Sequence, residues 1–305
     1  MIRLLFCQDP QHDDAPDSAW IHEVEAAQAA GWPVSLISYE ALAEQDNPPR
    51  AVRALPVHHA AAESWAIYRG WPLSQRHYAR LYDALLSRGV RLLTAPSAYD
   101  YSRCLSEALP DLGHLTPRSV VFQTDGRQVN YETLMALLLP FNGGPVIVRD
   151  DERAFKRDWY EACYIPSSSN REAVEAVTQR FIALRGGSVT GGLIYREYVD
   201  FRHLNAATPG RPPLALEYRL AYADGQLIAT LCYWDAPDAP PDLPDAEQFR
   251  AFAAAAPSPF FMMDVAQRQD GTWQVIDLED GQVSMLPRAA DARAFYVALR
   301  ERLSS

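Results

Sequence analysis

Short apolar runs alternate with helical segments over the first 95 residues of the chain. We predict strands at residues 2–7, 34–37, 65–68 and 90–93, and helices at residues 18–30 and 74–88. Gly31 and Gly89 end the two helices. Because strands and helices alternate with short connections, the pattern predicts an open parallel sheet. Ligands of such sheets bind beyond the carboxyl ends of the strands, so residues 8–9 and 69–71 are predicted to lie at the mouth of a site.

The pattern changes after residues 94–97, where a proline interrupts the chain and we predict a domain boundary. Helices are predicted at about 97–108, 171–184 and 245–255, and strands at residues 115–122, 143–149, 192–199, 217–222, 226–234, 260–266 and 273–281. Asp224-Gly225 and Gln269-Asp270-Gly271 are typical turns of antiparallel hairpins. The sequence therefore predicts an α/β domain at residues 1–95 and an α+β domain at residues 96–305.

The last two predicted strands carry acidic residues where a half-buried strand normally has apolar or neutral ones. Asp264 lies in the first of these strands, and Asp277, Glu279 and Asp280 lie in the second. Residues 277 and 279 are two apart, so their side chains point to the same face of a strand. Carboxylates this close repel one another unless a cation lies between them, and Mg²⁺ prefers hard oxygen ligands. We predict a Mg²⁺ site here; a solvated hairpin with an acidic outer face is the alternative.

The composition narrows the classes of protein that fit. The chain has 305 residues, of which 48% are hydrophobic and 22% charged, enough apolar material for several packed cores. Its 39 acidic and 28 basic residues give a net charge of -11, which argues against binding to nucleic acids or to a membrane surface. The four cysteines form no Cys-x-x-Cys pair, so we expect buried thiols in a reducing compartment. The N-terminus lacks the apolar region of a signal peptide, and a cytoplasmic protein is expected.

Three polar segments fit ordinary loops or helix starts better than they fit binding sites. His12-Asp13-Asp14 follows a strand, and His58-His59 has no predicted partner in the sequence. Residues 167–170 precede a predicted helix, and their hydroxyl and amide side chains are typical of helix N-caps. We therefore predict a capping role for residues 167–170 and no site at the other two segments.

Five short motifs follow one another in an order that resembles a known family. They are Tyr68-Arg69-Gly70-Trp71, Arg149-Asp150 with Lys156 and Trp159, Arg196-Glu197-Tyr198-Val199, Glu217-Tyr218-Arg219, and Asp277-Leu278-Glu279-Asp280-Gly281-Gln282-Val283-Ser284. In this order the chain resembles the ATP-grasp superfamily, and in particular a clade of it that has a preceding α/β domain. The resemblance covers nearly the whole chain, although no single motif is specific. It implies a small lobe at about 115–198 and a large lobe at about 199–305, with ATP and Mg²⁺ held between them.

The resemblance also assigns roles to the basic residues at the strand ends. Arg149 lies where the superfamily usually has a lysine that binds the β- and γ-phosphates of ATP, and an ion pair with Asp150 or Asp151 is its alternative role. A planar guanidinium replaces a compact ammonium at this position, which changes the geometry of the phosphate contact. Lys156 matches a second basic position of the clade, and its alternative is a solvated lysine on the surface.

Further positions follow from the motifs in the second half of the chain. Arg196, Glu197 and Val199 match the connector between the lobes, where backbone groups meet the adenine edge; an ordinary half-buried strand is the alternative. Glu217 belongs to the predicted nucleotide-binding residues, and Arg219 is aimed at the transferred phosphate unless the two form a local ion pair.

Outside the predicted ATP site, the most distinctive motif contains Arg69 and Trp71. We predict that both face the substrate, with Arg69 in a catalytic role beside Arg219, and simple packing is the alternative.

The function implied by this resemblance is that of an ATP- and Mg²⁺-dependent ligase. Such an enzyme phosphorylates a carboxylate with ATP and lets an amine or similar nucleophile attack the acyl phosphate. The substrate would be a small molecule or a peptide. Two alternatives are a nucleotide-binding regulatory module without activity, favoured by Arg149 and by Asp277 in place of the clade's glutamate, and a kinase that releases a phosphorylated product.

Overall fold

The computed structural model describes residues 2–57, 64–152, 154–204, 214–234, 243–288 and 290–303. The backbone of Lys156 is described, but its side chain lies outside the described part of the chain, as do His58 and His59.

A parallel sheet occupies the first third of the chain. Its elements are β1 (Ile2–Cys7), α1 (Ile21–Ala29), β2 (Val34–Ile37), α2 (Pro48–Ala51), β3 (Ser64–Arg69), α3 (Gln75–Leu86) and β4 (Val90–Leu92). The strand order is β2-β1-β3-β4, and all pairings are parallel. Leu4 and Phe6 of β1 pack on the α1 side, whereas Leu5 and Cys7 pack on the α3 side, because successive side chains of a strand alternate between faces. The predicted open parallel sheet is confirmed.

Two helices, α4 (Pro96–Arg103) and α5 (Leu105–Leu112), connect this sheet to the rest of the chain. The single helix predicted at 97–108 is therefore wrong: the chain takes an extended conformation at Cys104, with φ -103° and ψ 102°. The cause is a second helix start. Asp151 accepts hydrogen bonds from the Ser106 backbone N–H (2.8 Å) and from its hydroxyl (2.6 Å), which satisfies the first turn of α5 from outside that helix.

The second sheet is antiparallel and lies within residues 119–197. Its elements are β5 (Ser119–Phe122), α6 (Tyr131–Leu137), β6 (Val146–Arg149), α7 (Trp159–Ala162), β7 (Tyr164–Ile165), α8 (Arg171–Leu184) and β8 (Leu193–Glu197). The strand order is β5-β8-β6-β7. Phe181 of α8 packs on Val146 and Tyr195 of the sheet to form the core of this lobe. Asn170 accepts a hydrogen bond from the Ala173 N–H at 3.1 Å, which confirms the predicted cap of α8.

The third sheet is also antiparallel and contains the acidic strands. Its elements are β9 (Glu217–Ala223), β10 (Gln226–Cys232), α9 (Arg250–Ala255), β11 (Phe260–Gln267) and β12 (Trp273–Asp280), and α10 (Ala292–Leu303) follows. The strand order is β10-β9-β11-β12. Together the three sheets confirm the predicted fold class, an α/β unit followed by a two-lobed α+β part.

The last helix returns to the first sheet. Phe295 and Tyr296 of α10 share one core with Phe6 and Trp20, and Met262 of β11 belongs to the same core. The Trp32 indole donates a hydrogen bond to the backbone oxygen of Tyr296 at 2.8 Å. The first and third sheets are thus packed through a common interior, and the division at residues 95 and 96 stays a prediction.

Candidate active site

A cavity of about 360 Å³ opens between the second and third sheets. Its walls come from β6, β8 and the chain after β8 on one side, and from β9, β11 and β12 on the other. The lining residues include Ile147, Arg149, Trp159, Arg196, Glu197, Tyr198, Val199, Phe201, Glu217, Tyr233, Trp234, Asp264, Ile276 and Asp277. One end is rich in aromatic and aliphatic side chains, and the other brings arginines and carboxylates together. A ligand that fits both ends would have a flat apolar part and an anionic part.

Arg149, the last residue of β6, lies at the charged end. Its Nη1 donates to Oδ2 of Asp277 at 2.7 Å, and its Nε donates to the backbone oxygen of Asp150 at 2.9 Å. The predicted alternative ion pair with Asp150 or Asp151 is not formed. The Asp150 carboxylate accepts from Arg185 at 2.6 Å, and the Asp151 carboxylate accepts from Ser106. Burial lowers and Asp277 raises the pKa of Arg149, with a net rise.

Arg219 of β9 is the second cation of the charged end. Its Nε and Nη2 donate to the two carboxylate oxygens of Asp264 at 2.7 and 2.8 Å, and Nη2 lies 3.0 Å from Oε2 of Glu279. Arg219 and Asp264 are directly opposite in the β9–β11 pairing, which brings this two-point contact within reach. The guanidinium also lies 5.0 Å from the centre of the Tyr233 ring. The local pair with Glu217 is therefore not the contact that holds Arg219.

Arg196 of β8 is buried and donates only to uncharged oxygens among its described hydrogen bonds. Nη2 donates to Thr116 Oγ1 at 2.7 Å, Nε donates to Ser119 Oγ at 3.2 Å, and Nη1 donates to the backbone oxygen of Ile276. Burial and the nearby Arg149 lower the pKa of Arg196 to about 10. A second cation beside a buried arginine makes this end of the cavity attractive to an anion.

The four predicted metal ligands divide into two groups. Asp264 and Asp277 are directly opposite in the β11–β12 pairing, and Glu279 joins them through Arg219. Asp280 points the other way, because adjacent residues of a strand face opposite sides. Its carboxylate accepts from Ser102 Oγ at 2.8 Å and from the backbone and side chain of Gln282, both at 3.0 Å.

Burial raises the pKa of the Asp280 carboxyl to about 6, and it likewise raises the pKa of Asp264 to about 6 against the opposing effect of Arg219. Asp280 thus stands apart from the other three carboxylates, and its predicted part in metal binding receives no support from this arrangement.

A family model that describes an ATP-grasp domain, clade family 3, matches residues 140–299 of the chain. The chain belongs to this ATP-grasp family. The resemblance seen in the sequence motifs is confirmed. No curated protein sequence matches the chain.

Several solved structures of ATP-grasp proteins are similar along the whole chain. The RimK domain protein ATP-grasp from Sphaerobacter thermophilus is 15% identical, with a TM-score of 0.58 over 100% of both chains. D-cycloserine synthetase DcsG is 18% identical, with a TM-score of 0.57 over 99% of this chain and 100% of the other. The ATP-grasp ligase PsnB, in complex with minimal precursor, Mg and ADP, is 12% identical, with a TM-score of 0.55 over 99% and 98%. At these identities the likeness shows a shared fold.

The connector residues of this ATP-grasp chain lie at the apolar end of the cavity. Glu197 ends β8 with its side chain exposed, and Tyr198 and Val199 follow along the wall. The Tyr198 ring packs edge to face on Tyr164 (centroids 5.1 Å apart) and lies 6.3 Å from the Trp159 ring. Glu217 is buried and also lines the cavity. These positions suit a flat ring bound near the connector.

The donor set at the charged end fits Mg²⁺ in type. Asp264, Asp277 and Glu279 offer only carboxylate oxygens, and Mg²⁺ commonly takes one or two carboxylates together with substrate phosphates. Within the described residues, no group of three or more His, Cys, Asp or Glu side chains is arranged to hold a metal by itself. The two carboxylates opposite each other are therefore the strongest candidates.

Arg69 does not line the cavity. Its side chain is 0% exposed and is paired with Glu23, and its Nε donates to the Tyr296 hydroxyl at 3.1 Å. The carboxyl end of β3 is covered by the chain after β12, since Gly70 N–H donates to the Gln282 backbone oxygen at 3.1 Å. In this arrangement a substrate cannot reach the guanidinium, so the predicted substrate contact is corrected: Arg69 lies inside a packed interface.

Trp71 is likewise engaged within the chain. Its indole N–H donates to Asp17 Oδ2 at 2.8 Å, and its ring lies edge-on to Trp20 with centroids 6.1 Å apart. Gly70 between the two motif residues has no room for a side chain, because a Cβ there would lie 2.4 Å from Cys7 Sγ. The motif is a packed corner of the first sheet.

Sequence reasoning missed the residues that complete the cavity. Thr116, Phe201, Tyr233 and Trp234 either line it or orient Arg196. Tyr233 and Trp234 directly follow β10, and their place opposite Arg149 depends on how the two lobes face each other. Within the described residues, no helix is both long and apolar enough to cross a membrane.

Proposed function

We propose that the chain is an ATP- and Mg²⁺-dependent ligase that joins a carboxylate to an amine or a similar nucleophile. The observation that carries this proposal is the convergence of Arg149, Arg219, Asp264 and Asp277 at one end of an aromatic-walled cavity between the two lobes. Membership of the ATP-grasp family supports the use of ATP. The ligase names of the similar structures support the reaction class, and the Mg and ADP bound to PsnB support the cofactors.

Nucleotide binding would use both ends of the cavity. The adenine would lie against Trp159 and Tyr198 beside the backbone of Glu197 and Val199, and the phosphates would lie toward Arg149. Arg196, whose described hydrogen bonds go to neutral oxygens, adds positive charge behind Arg149. Charge-assisted bonds from arginine to phosphate are among the strongest polar contacts in proteins. Lys156 would supply a further positive charge by the same family resemblance.

The ion pairs of the empty cavity would be exchanged when the nucleotide binds. Asp277 now neutralises Arg149, and Asp264 now neutralises Arg219. With Mg²⁺ and phosphates present, the arginines can contact phosphate oxygens while the carboxylates turn to the metal. Bound Mg²⁺ would neutralise phosphate charge and orient the terminal phosphate. Pairing the charges in advance keeps buried cations and anions from standing alone before the ligand arrives.

The chemical step follows from these positions. A carboxylate oxygen of the substrate attacks the terminal phosphorus of ATP, and ADP leaves. The amine then attacks the acyl carbon, loses a proton, and phosphate leaves. Arg219 is placed to stabilise negative charge on the transferred phosphoryl group, so positioning and charge neutralisation provide the rate. No nucleophilic side chain is needed.

Product analysis tests this proposal. The protein is incubated with ATP, Mg²⁺, hydroxylamine and a panel of amino acids and short peptides as carboxylates; PsnB, whose complexes contain a precursor, motivates the peptides. We expect ADP together with a hydroxamate, because hydroxylamine traps an acyl phosphate. ADP with a stable phosphorylated product would show a kinase instead. Bound ATP without turnover across the panel would favour a regulatory nucleotide-binding module.

A further inference from the structure

The chain directly after β12 touches the charged end of the cavity. This segment, residues 281–286, contacts two of the residues proposed for phosphate and metal binding. The Ser284 hydroxyl donates to Oε2 of Glu279 at 2.6 Å, and the backbone oxygen of Met285 accepts from Arg219 Nη1 at 3.2 Å. The segment therefore sets where the Glu279 carboxylate and one edge of the Arg219 guanidinium lie.

The opposite side of the same segment is held by Arg69. Its Nη1 donates to the backbone oxygen of Ser284 at 2.9 Å and to that of Gly281. Glu23, the partner of Arg69, accepts the backbone N–H of Leu286 at 2.9 Å. One buried ion pair thus satisfies three backbone groups of segment 281–286.

The pair is itself fixed in place. The Tyr296 hydroxyl donates to Glu23 Oε2 at 2.6 Å and accepts from Arg69 Nε at 3.1 Å, and the guanidinium lies 5.2 Å from the centre of the Trp20 ring. A guanidinium presents several donors in a rigid plane, so it can hold two carbonyl oxygens in a defined relation. Lysine has no such planar group.

The first and last motifs also meet here. The side-chain oxygen of Gln282 accepts from the Tyr68 N–H at 3.1 Å, and its backbone oxygen accepts from the Gly70 N–H at 3.1 Å. The Tyr-Arg-Gly-Trp motif and the Asp-Gly-Gln-Val-Ser motif, 200 residues apart in the chain, therefore form one contact surface.

We propose that Arg69 is a positioning residue, which fixes segment 281–286 and thereby places Glu279 and Arg219 for Mg²⁺ and phosphate. This inference rests on the proposed function. It gives the motif around Arg69 a part in the reaction without any contact with the substrate. Removal of the guanidinium would free the carbonyl oxygens of Gly281 and Ser284, and the shift would reach Glu279 through the Ser284 hydroxyl.

The test measures how much Mg²⁺ improves ATP affinity. Calorimetric titrations with ATP are done in Mg²⁺ and in EDTA on the full chain, and the ratio of the two dissociation constants is the metal enhancement. We compare wild type, Arg69→Met, Arg69→Lys and Ser284→Ala, which removes the hydroxyl bond to Glu279 but leaves Arg69 in place. Trp32→Phe is the matched control, since it removes a buried hydrogen bond to Tyr296 and leaves segment 281–286 untouched.

We expect the metal enhancement to fall about tenfold in Arg69→Met and in Ser284→Ala, because each loses a hydrogen bond to a charged group. ATP affinity in EDTA should stay unchanged in Ser284→Ala, and Trp32→Phe should keep the full enhancement although it melts earlier. Arg69→Lys should not restore it. If Arg69→Met fails to fold, Ser284→Ala decides.

A full enhancement in Ser284→Ala, or in a folded Arg69→Met, would overturn the positioning role. Equal losses in EDTA and in Mg²⁺ would also overturn it. A wild type that binds no ATP in either buffer would instead overturn the proposed function itself.

Discussion

The ion pair between Arg219 and Asp264 makes the sharpest stability prediction. Both side chains are buried, and the two hydrogen bonds of 2.7 and 2.8 Å occupy both carboxylate oxygens of Asp264. At pH 7 the pair is ionised, because burial raises the pKa of Asp264 only to about 6. Asp264→Asn keeps the shape of the side chain but removes its charge and turns one acceptor into a donor that faces Arg219.

The magnitude follows from the remaining contacts. Breaking a buried ion pair by removal of one partner costs about 3–5 kcal/mol, since the other charge stays buried. Arg219 keeps Glu279 at 3.0 Å, and the asparagine keeps one oxygen. We therefore expect the lower end, a loss of about 3 kcal/mol in the free energy of unfolding. Urea unfolding at pH 7 measures it. The same variant should also lose Mg²⁺-dependent ATP affinity.

The double variant Asp264→Asn/Arg219→Gln is the control for this reasoning. It removes both charges, so its loss of stability should be smaller than the sum of the two single losses by about 1–3 kcal/mol, the usual range for residues in contact. A single Asp264→Asn within about 0.5 kcal/mol of wild type, which is the range of ordinary surface substitutions, would refute the view that this pair is buried and ionised.

Two further predictions concern residues at opposite ends of the same sheet. Arg149→Ala should weaken ATP binding about tenfold to a hundredfold, since a hydrogen bond to a charged group contributes about 1.5–3 kcal/mol, whereas Arg185→Ala, outside the cavity, should bind normally; unchanged affinity with a lower melting temperature would leave Arg149 only its ion pair with Asp277. Asp280→Asn should stabilise the protein at pH 8 but not at pH 4, because burial raises the pKa of Asp280 from its usual 3.8 to about 6 and the charged form is disfavoured in the folded state. The wild type gains from this group below pH 3.8 and loses that gain as the pH rises through 6, and at about 1.4 kcal/mol per pKa unit the difference approaches 3 kcal/mol; urea unfolding at the two pH values checks it, and a variant less stable at pH 8 would contradict it.

Local patterns predicted most of the secondary structure. The strands at 2–7 and 34–37 and the helix at 171–184 agree with the structure to the residue, because each is a continuous apolar or amphipathic run with a clear end. The break at Cys104 could not be read locally, since Asp151, which starts the second helix, is 45 residues away from Ser106. Tertiary contacts decided where local propensity was neutral.

The candidate site was predicted in part for the same reason. Strand alternation correctly placed Asp277 and Glu279 on one face, and the pairing of β11 with β12 brings Asp264 opposite Asp277. The rule for parallel sheets pointed to Arg69, but the chain after β12 covers that edge, and its residues lie more than 200 positions away. A sheet edge is open to ligands only if no later segment packs on it, and sequence spacing does not show this.

A crystal structure with Mg²⁺ and a non-hydrolysable ATP analogue tests the central claim most directly. The account predicts the adenine beside Trp159 and Tyr198, the phosphates in contact with Arg149, and Mg²⁺ bound by Asp264 or Asp277, with the ion pairs of these residues rearranged. A nucleotide bound elsewhere, or a cavity that keeps its Arg149–Asp277 and Arg219–Asp264 pairs at saturating nucleotide, would contradict it.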